Sequence, residues 1–397
     1  MKERLAIDGG SPVRKKVLPY GRQSIEEEDL RAVVEVLRSD WLTTGPAVSE
    51  FERAFADYVG AREAVAVANG TAALHAAVYA LGIGPGDEVI CPAMTFAASA
   101  NCVVYQGGEP VFVDVEEETL LIDASKAEAK ITPRTKAIIA VDYAGQPCDY
   151  DALRCVAERH SIAVLSDACH ALGGKYRDRN VGGLGRLSAF SLHPVKHITT
   201  GEGGMITTDD EELARRCRVF RNHGITSDHR QREAAGSWFY EMIDLGFNYR
   251  LTDFQCALGL SQLRRLDRWI ERRQQIARRY DRAFAGMEAV SPLRVRRDVS
   301  HAYHLYVIRV NPEFLSADRS RIFAALRAEG IGVNVHYVPV HLHPFYRERF
   351  ATASGMCPAA EAAYERIISL PIFPAMTDAD ADDVIAAVCK VVRAYSK

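Results

Sequence analysis

Long apolar runs are missing from this 397-residue chain; none approaches the roughly 20 residues needed to cross a bilayer. An excess of one charge sign is missing too. The formal net charge is −3, too small to favour nucleic acid or an anionic membrane, and neither is expected as a partner. Cysteines are present but never closely paired: nine fall singly at 91, 102, 148, 155, 169, 217, 256, 357 and 389. An odd count without Cys-x-x-Cys spacing argues against a disulfide framework or a zinc site. It fits small buried residues in a reducing cytoplasm. The opening MKERLAIDGGSPVRKK lacks the apolar stretch that forms the core of a signal peptide. Internal repeats, low-complexity tracts and long linkers are also lacking.

What is there is ordinary in bulk: 48% hydrophobic and 25% charged residues, over a length that calls for two domains. Residues 1–20 read as an N-terminal arm. IEEEDLRAVVEVLRS (25–39) has the period of an amphipathic helix, with acids in its first turn. A second helix follows and stops at Gly60. Seven short apolar runs then alternate with helical stretches: AVAVA (64–68), EVICP (88–92), PVFVDV (110–115), KAIIAVDY (136–143), IAVLSDA (162–168), RLSAFSL (186–192) and GGMITTD (203–209). This predicts an α/β domain over 21–252 with a seven-stranded, mostly parallel sheet covered on both faces. From Thr252 one long helix is expected, its basic tract forming a solvated face. It leads a smaller α+β C-terminal unit over 253–397.

Ligands of α/β sheets bind at the carboxyl ends of strands, so the residues after each strand carry the functional signal. NGTAAL (69–74) follows the first strand. It is either a plain strand-to-helix turn or a phosphate cradle in which Gly70 and Thr71 open a helix N-terminus. DACH (167–170) follows another strand. Asp167 is a helix cap or the partner of a buried cation, and His170 a core histidine or a ligand contact. Phe96, in PAMTFAAS, is core or a platform for a ring. LHPVKHITTGEGG presents Ser191 just before it and Lys196 within it, in a setting poor in other charge. A lone lysine on a glycine-rich loop is usually solvated. An amine that attacks a carbonyl must be neutral, and such a setting favours that. Phosphate turn, acid, hydroxyl and lysine all fall just after strands of one sheet. Together they make the parts of a pyridoxal phosphate (PLP) site. LGIGPGDEV (81–89) superficially has a dinucleotide-loop spacing, but it leads from helix into strand and reads as a turn. His341 and His343 flank one leucine with no acids at ligand spacing, so no metal is expected.

The stretches SLHPVKHITTGEGG and GFNYRLTDFQCALGLSQL, with PYGRQSIEEEDLRAVVEVLRSDWLTTGP and ISLPIFPAMTD, resemble the DegT/DnrJ/EryC1/StrS sugar aminotransferases over nearly the whole chain. The resemblance implies PLP-dependent fold type I. It implies that Lys196 forms the Schiff base, Asp167 faces the pyridine nitrogen, His170 the ring's O3′ side, and Phe96 stacks on the ring. Gly70, Thr71 and Ser191 would bind the phosphate, joined by Asn248 from a partner subunit, which makes the protein a homodimer with shared sites. Tyr20, Trp41, Leu42, Thr43, His193, His336, Tyr337 and Pro339 map to nucleotide-sugar contacts. Cys169 departs from the commoner alanine or serine. VHYVPVHLHPFY, with the first two stretches, is most similar to the branch that aminates C4 of a UDP-linked 4-keto-6-deoxy sugar in pseudaminic acid synthesis, with L-glutamate as donor. Other keto-sugars, namely 3-keto, bacillosamine or legionaminic precursors and UDP-4-keto-arabinose, are the alternatives. A related dehydratase would carry histidine in place of Lys196. A non-catalytic regulator would lack part of the constellation.

Overall fold

The computed structural model describes residues 4–397; the first three residues of the expected arm lie outside them. Helix α1 (Glu27–Leu37) opens on acids, and Glu26 and Asp29 form a reciprocal capping box. Helix α2 (Pro46–Val59) starts on proline and ends at Gly60, whose φ of 74° suits glycine. Strand β1 (Glu63–Val67) leads into helix α3 (Gly70–Ala80), and β2 (Glu88–Pro92) into α4 (Ala98–Tyr105). Strands β3 (Glu109–Val113), β4 (Thr135–Val141), β5 (Ala163–Asp167), β6 (Leu187–Ser191) and β7 (Gly204–Thr208) complete one seven-stranded sheet. Its order is β1-β7-β6-β5-β4-β2-β3, and β7 alone runs against its neighbours. All seven strands lie where the apolar runs predict them, and their near-continuous burial is that of a sheet covered on both faces.

The expected single helix after Thr252 is two, Asp253–Leu263 and Leu266–Phe284. Arg265 leaves helical geometry at φ −111°, ψ 2°. Its guanidinium pairs with the buried Asp29, which also accepts hydrogen bonds from Ser261 Oγ (2.7 Å) and Gln262 Nε2 (2.8 Å). One carboxylate thus ties α1 to the Asp253–Leu263 helix. The break lets the second helix run on, so that Ile276, Tyr280 and Phe284 join a separate apolar core. The basic tract is also more than a solvated face. Arg273 is fully buried, and Arg268, Arg272 and Arg279 pair with Glu26, Asp378 and Asp382.

That separate core belongs to the C-terminal part, around the antiparallel strands Val290–Pro292, Tyr306–Val310 and Ile367–Leu370. IGVNVHYVPV forms no strand of its own, only isolated bridges at Ile331 and Asn334. The N-terminal arm packs on this core through Leu5 and Leu18. Buried Glu329 accepts hydrogen bonds from Ala6 N (2.8 Å) and Val13 N (3.0 Å). Asp29→Ala should leave Arg265 without its buried partner and destabilise the protein by about 3 kcal/mol, read as a lower midpoint in urea. An unchanged midpoint would mean the α1 contact carries no load.

Candidate active site

β5 and β6 run in parallel register, with Asp167 opposite Ala189, so Asp167 and Ser191 both emerge at the carboxyl edge of the sheet. α3 begins at the same edge, and Asn69 caps it by accepting from Ala72 N (2.8 Å). A Cβ on Gly70 would lie 2.8 Å from Ser191 Cβ and 3.3 Å from Cys169 Sγ, so glycine is what lets this helix start lie against β6. The loop after β6 is pinned by Thr199: its hydroxyl donates to Leu192 O (3.0 Å), and its N–H donates to Gln262 Oε1 (3.2 Å). Lys196 is held within that loop.

Together these elements wall a cavity of about 580 Å³. Of the residues singled out from sequence, Tyr20, Gly70, Thr71, Phe96, Asp167, His170, Ser191, His193, Lys196, His336 and Tyr337 line it. Phe96 is 59% exposed, which rules out the core alternative, and its ring lies 5.8 Å from that of Tyr337. Asp167 is buried and is no helix cap; it accepts from Ser99 Oγ (2.6 Å) and Cys169 N (3.2 Å). Tyr337 Oη meets His170 Nε2 at 3.0 Å, and His336 Nδ1 meets Ser369 Oγ at 2.8 Å.

Five residues are not brought to the cavity. Pro339 is buried and does not line it. Asn248 is exposed and bridges Asn222. Trp41, Leu42 and Thr43 lie at the start of the Asp253 helix, where Asp253 N donates to Leu42 O (3.0 Å) and Thr43 bridges Thr252. Asn222, Arg250 and Thr44 border a second, smaller cleft.

The structure adds residues that the motifs did not flag. Ser99 and Thr95 (2.7 Å apart) form a hydroxyl chain to Asp167. His304, from the C-terminal part, places Nε2 3.4 Å from Lys196 Nζ. Asn69, Glu202 and Asn334 also line the cavity. The Ser99 signal was its position on the turn after Phe96; His304 carried no local signal. His341, set aside as a metal ligand for want of a nearby acid, does have one in space: Glu361 Oε1 at 2.9 Å. The described residues contain no group of three or more metal-ligating side chains.

Burial lowers the Lys196 amine from its ordinary value; Cys169 and Asp167 oppose this, and Arg273 adds to it. Burial likewise pushes His170, His197 and His304 well below 6.5, with the Lys196 charge adding to each. The donor set fits PLP. It offers a neutralisable amine, an acid at a strand end, a helix N-terminus with a hydroxyl, and an exposed aromatic face. His170 Nδ1 and His304 Nδ1 are buried without a hydrogen-bond partner among the described residues.

The DegT/DnrJ/EryC1/StrS aminotransferase family model matches residues 23–389. The chain belongs to this family. It is a PLP-dependent aminotransferase of fold type I. It is similar to the spore coat polysaccharide biosynthesis protein SpsC of Bacillus subtilis, 46% identical over 382 residues, 96% of this chain and 98% of the other. The putative sugar aminotransferase Spr1654 of Streptococcus pneumoniae, in PLP form, is 35% identical with a TM-score of 0.89, over 95% and 99% of the two chains. Helicobacter pylori PseC, an aminotransferase of pseudaminic acid biosynthesis, is 33% identical with a TM-score of 0.89, over 96% and 100%. No helix among the described residues is long and apolar enough to cross a membrane.

Two outcomes follow. Ser99→Ala should leave the fold intact but free Asp167 to turn, weakening PLP binding roughly tenfold, as for a lost hydrogen bond to a charged group; an absorbance titration reads it, and unchanged affinity would contradict it. Burial also holds His75 and His336 at about 4 and His301 at about 3, against 6.5 in the unfolded chain. Above pH 6.5 both states are neutral and nothing changes. Below it the unfolded state binds more protons, so stability should fall steadily from pH 6.5 to about 4, by about 1.4 kcal/mol per pH unit for each such histidine. A melting temperature flat across that window would contradict this.

Proposed function

We propose that the enzyme moves an amino group from L-glutamate to C4 of a UDP-linked 4-keto-6-deoxy-N-acetylhexosamine. The product would be UDP-4-amino-4,6-dideoxy-N-acetyl-β-L-altrosamine. The observation that carries the chemistry is the meeting of Lys196, Asp167, Ser191 and the α3 N-terminus in one cavity. The similarity to PseC supports the sugar. The higher identity to SpsC supports a second reading, another nucleotide keto-sugar destined for a surface polysaccharide.

When bound, PLP supplies a ring that accepts electrons from the carbon losing its proton. The protein's residues do the rest. Asp167 would hold the proton on the pyridine nitrogen, because a carboxylate in a dry site favours a charged pair. Gly70, Thr71 and Ser191 would hold the phosphate with backbone N–H groups and hydroxyls. Phe96 would cover one face of the ring. Lys196 Nζ, its pKa lowered by burial, would take the proton from the donor's Cα and later return one to the sugar's C4. Tyr20, His193, His336 and Tyr337 would line the sugar's approach.

Asn248, Trp41, Leu42 and Thr43 would act across a homodimer. Trp238, Met242, Ile243 and Leu245, just before Asn248 in the chain, are each more than half exposed, an apolar face suited to a second copy. Arg230 lies over the Trp41 ring at 5.9 Å, which brings the two segments to one side of the molecule. The reading places the enzyme in the cytoplasm, in line with its unpaired cysteines.

The first test is spectroscopic. A band near about 410–430 nm should shift towards about 330 nm when L-glutamate is added, as the cofactor takes up the amine. Lys196→Ala should abolish turnover, and Asp167→Asn should bind PLP yet slow the reaction by at least about a hundredfold. Near-normal turnover of either variant with the 4-keto sugar would refute its role.

A further inference from the structure

His304 is buried in a wall tied down by hydrogen bonds. Ala302 N and Leu305 N donate to Gly145 O (2.9 Å) and Ala144 O (3.1 Å), and buried Arg273 donates to Tyr303 O (3.1 Å). The His304 ring packs 4.3 Å from the His170 ring, with His197 behind it at 5.8 Å. Its Nε2 is 3.4 Å from Lys196 Nζ, the one side-chain hydrogen bond Nζ makes among the described residues. The segment that carries His304 comes from beyond residue 284, outside every motif that marks the lysine loop.

We propose that His304 positions the Lys196 amine, its Nε2 holding Nζ in the cavity whenever that amine is not joined to the cofactor. This rests on the reading of Lys196 as the cofactor-bearing lysine. The ring acts as a fixed hydrogen-bond partner for Nζ. A lysine chain has four rotatable bonds and loses much freedom on being aimed. A clamped ring at its tip keeps the freed amine near the atoms it must reach again.

The test compares His304→Gln with His304→Asn. Glutamine places an amide near the site of Nε2; asparagine stops near Nδ1. Both are polar and smaller than the ring, so a merely structural defect should affect them alike. The readout is the rate at which the visible band forms when pyridoxal phosphate is mixed with apoprotein, with melting temperatures measured beside it. His304→Gln should lie within about threefold of wild type, and His304→Asn should be roughly tenfold slower or more, the scale of one lost hydrogen bond to a charged group. Equal rates for the two variants, with a normal wild-type band, would overturn the proposal and leave the cofactor reading standing. A wild-type apoprotein that forms no band would overturn both.

Discussion

Asp167 sits opposite Ala189 in a parallel pair of strands, and that register is what the site depends on. It fixes a carboxylate at the end of β5 beside the end of β6, where Ser191 and then Lys196 follow. Only β7 separates β6 from β1, so the turn at Asn69 and Gly70 meets the same edge. A one-residue slip of β5 would turn Asp167 to the other face and separate acid from amine. The rest of the molecule holds this edge still. Asp29 and Gln262 clamp the helices beneath the lysine loop, and Gln262 reaches Thr199 within it.

Electrostatics then sets what the edge can do. A lysine in water at neutral pH is charged and inert as a nucleophile. Here burial lowers its pKa, while Asp167 and Cys169 keep the shift from running away. Buried Arg273 adds a positive charge with no carboxylate partner among the described residues. The surrounding histidines stay neutral, so they offer hydrogen bonds without competing for the proton.

The sheet was legible because each strand is a short apolar run bounded by turn residues, and seven such runs become seven paired strands. The candidate cofactor residues were legible for the same reason: they follow strands, and strand ends are where α/β sheets present side chains. Three things were not legible. The break at Arg265 is invisible to periodicity, because it is imposed by a buried carboxylate on a helix far away in sequence. The buried state of Arg273 could not be told from its equally basic neighbours. His304 enters through a tertiary contact alone, and nothing in HAYHLYVIRV announces a partner for Lys196; Ser99 follows Phe96 closely in sequence, but its bond to Asp167 shows only in the fold. Trp41, Leu42, Thr43 and Asn248 came from family resemblance, and a single chain does not bring them to the cavity.

The central claim is that Lys196, and no other lysine, carries the cofactor. Reduction of the PLP-loaded protein with borohydride, followed by proteolysis and mass spectrometry, tests it directly. The account predicts the added cofactor mass on the peptide containing Lys196, close to one per chain, and its loss when L-glutamate is added before the reductant. Cofactor mass on another lysine, such as Lys175 or Lys126, or no fixed mass at all, would contradict it.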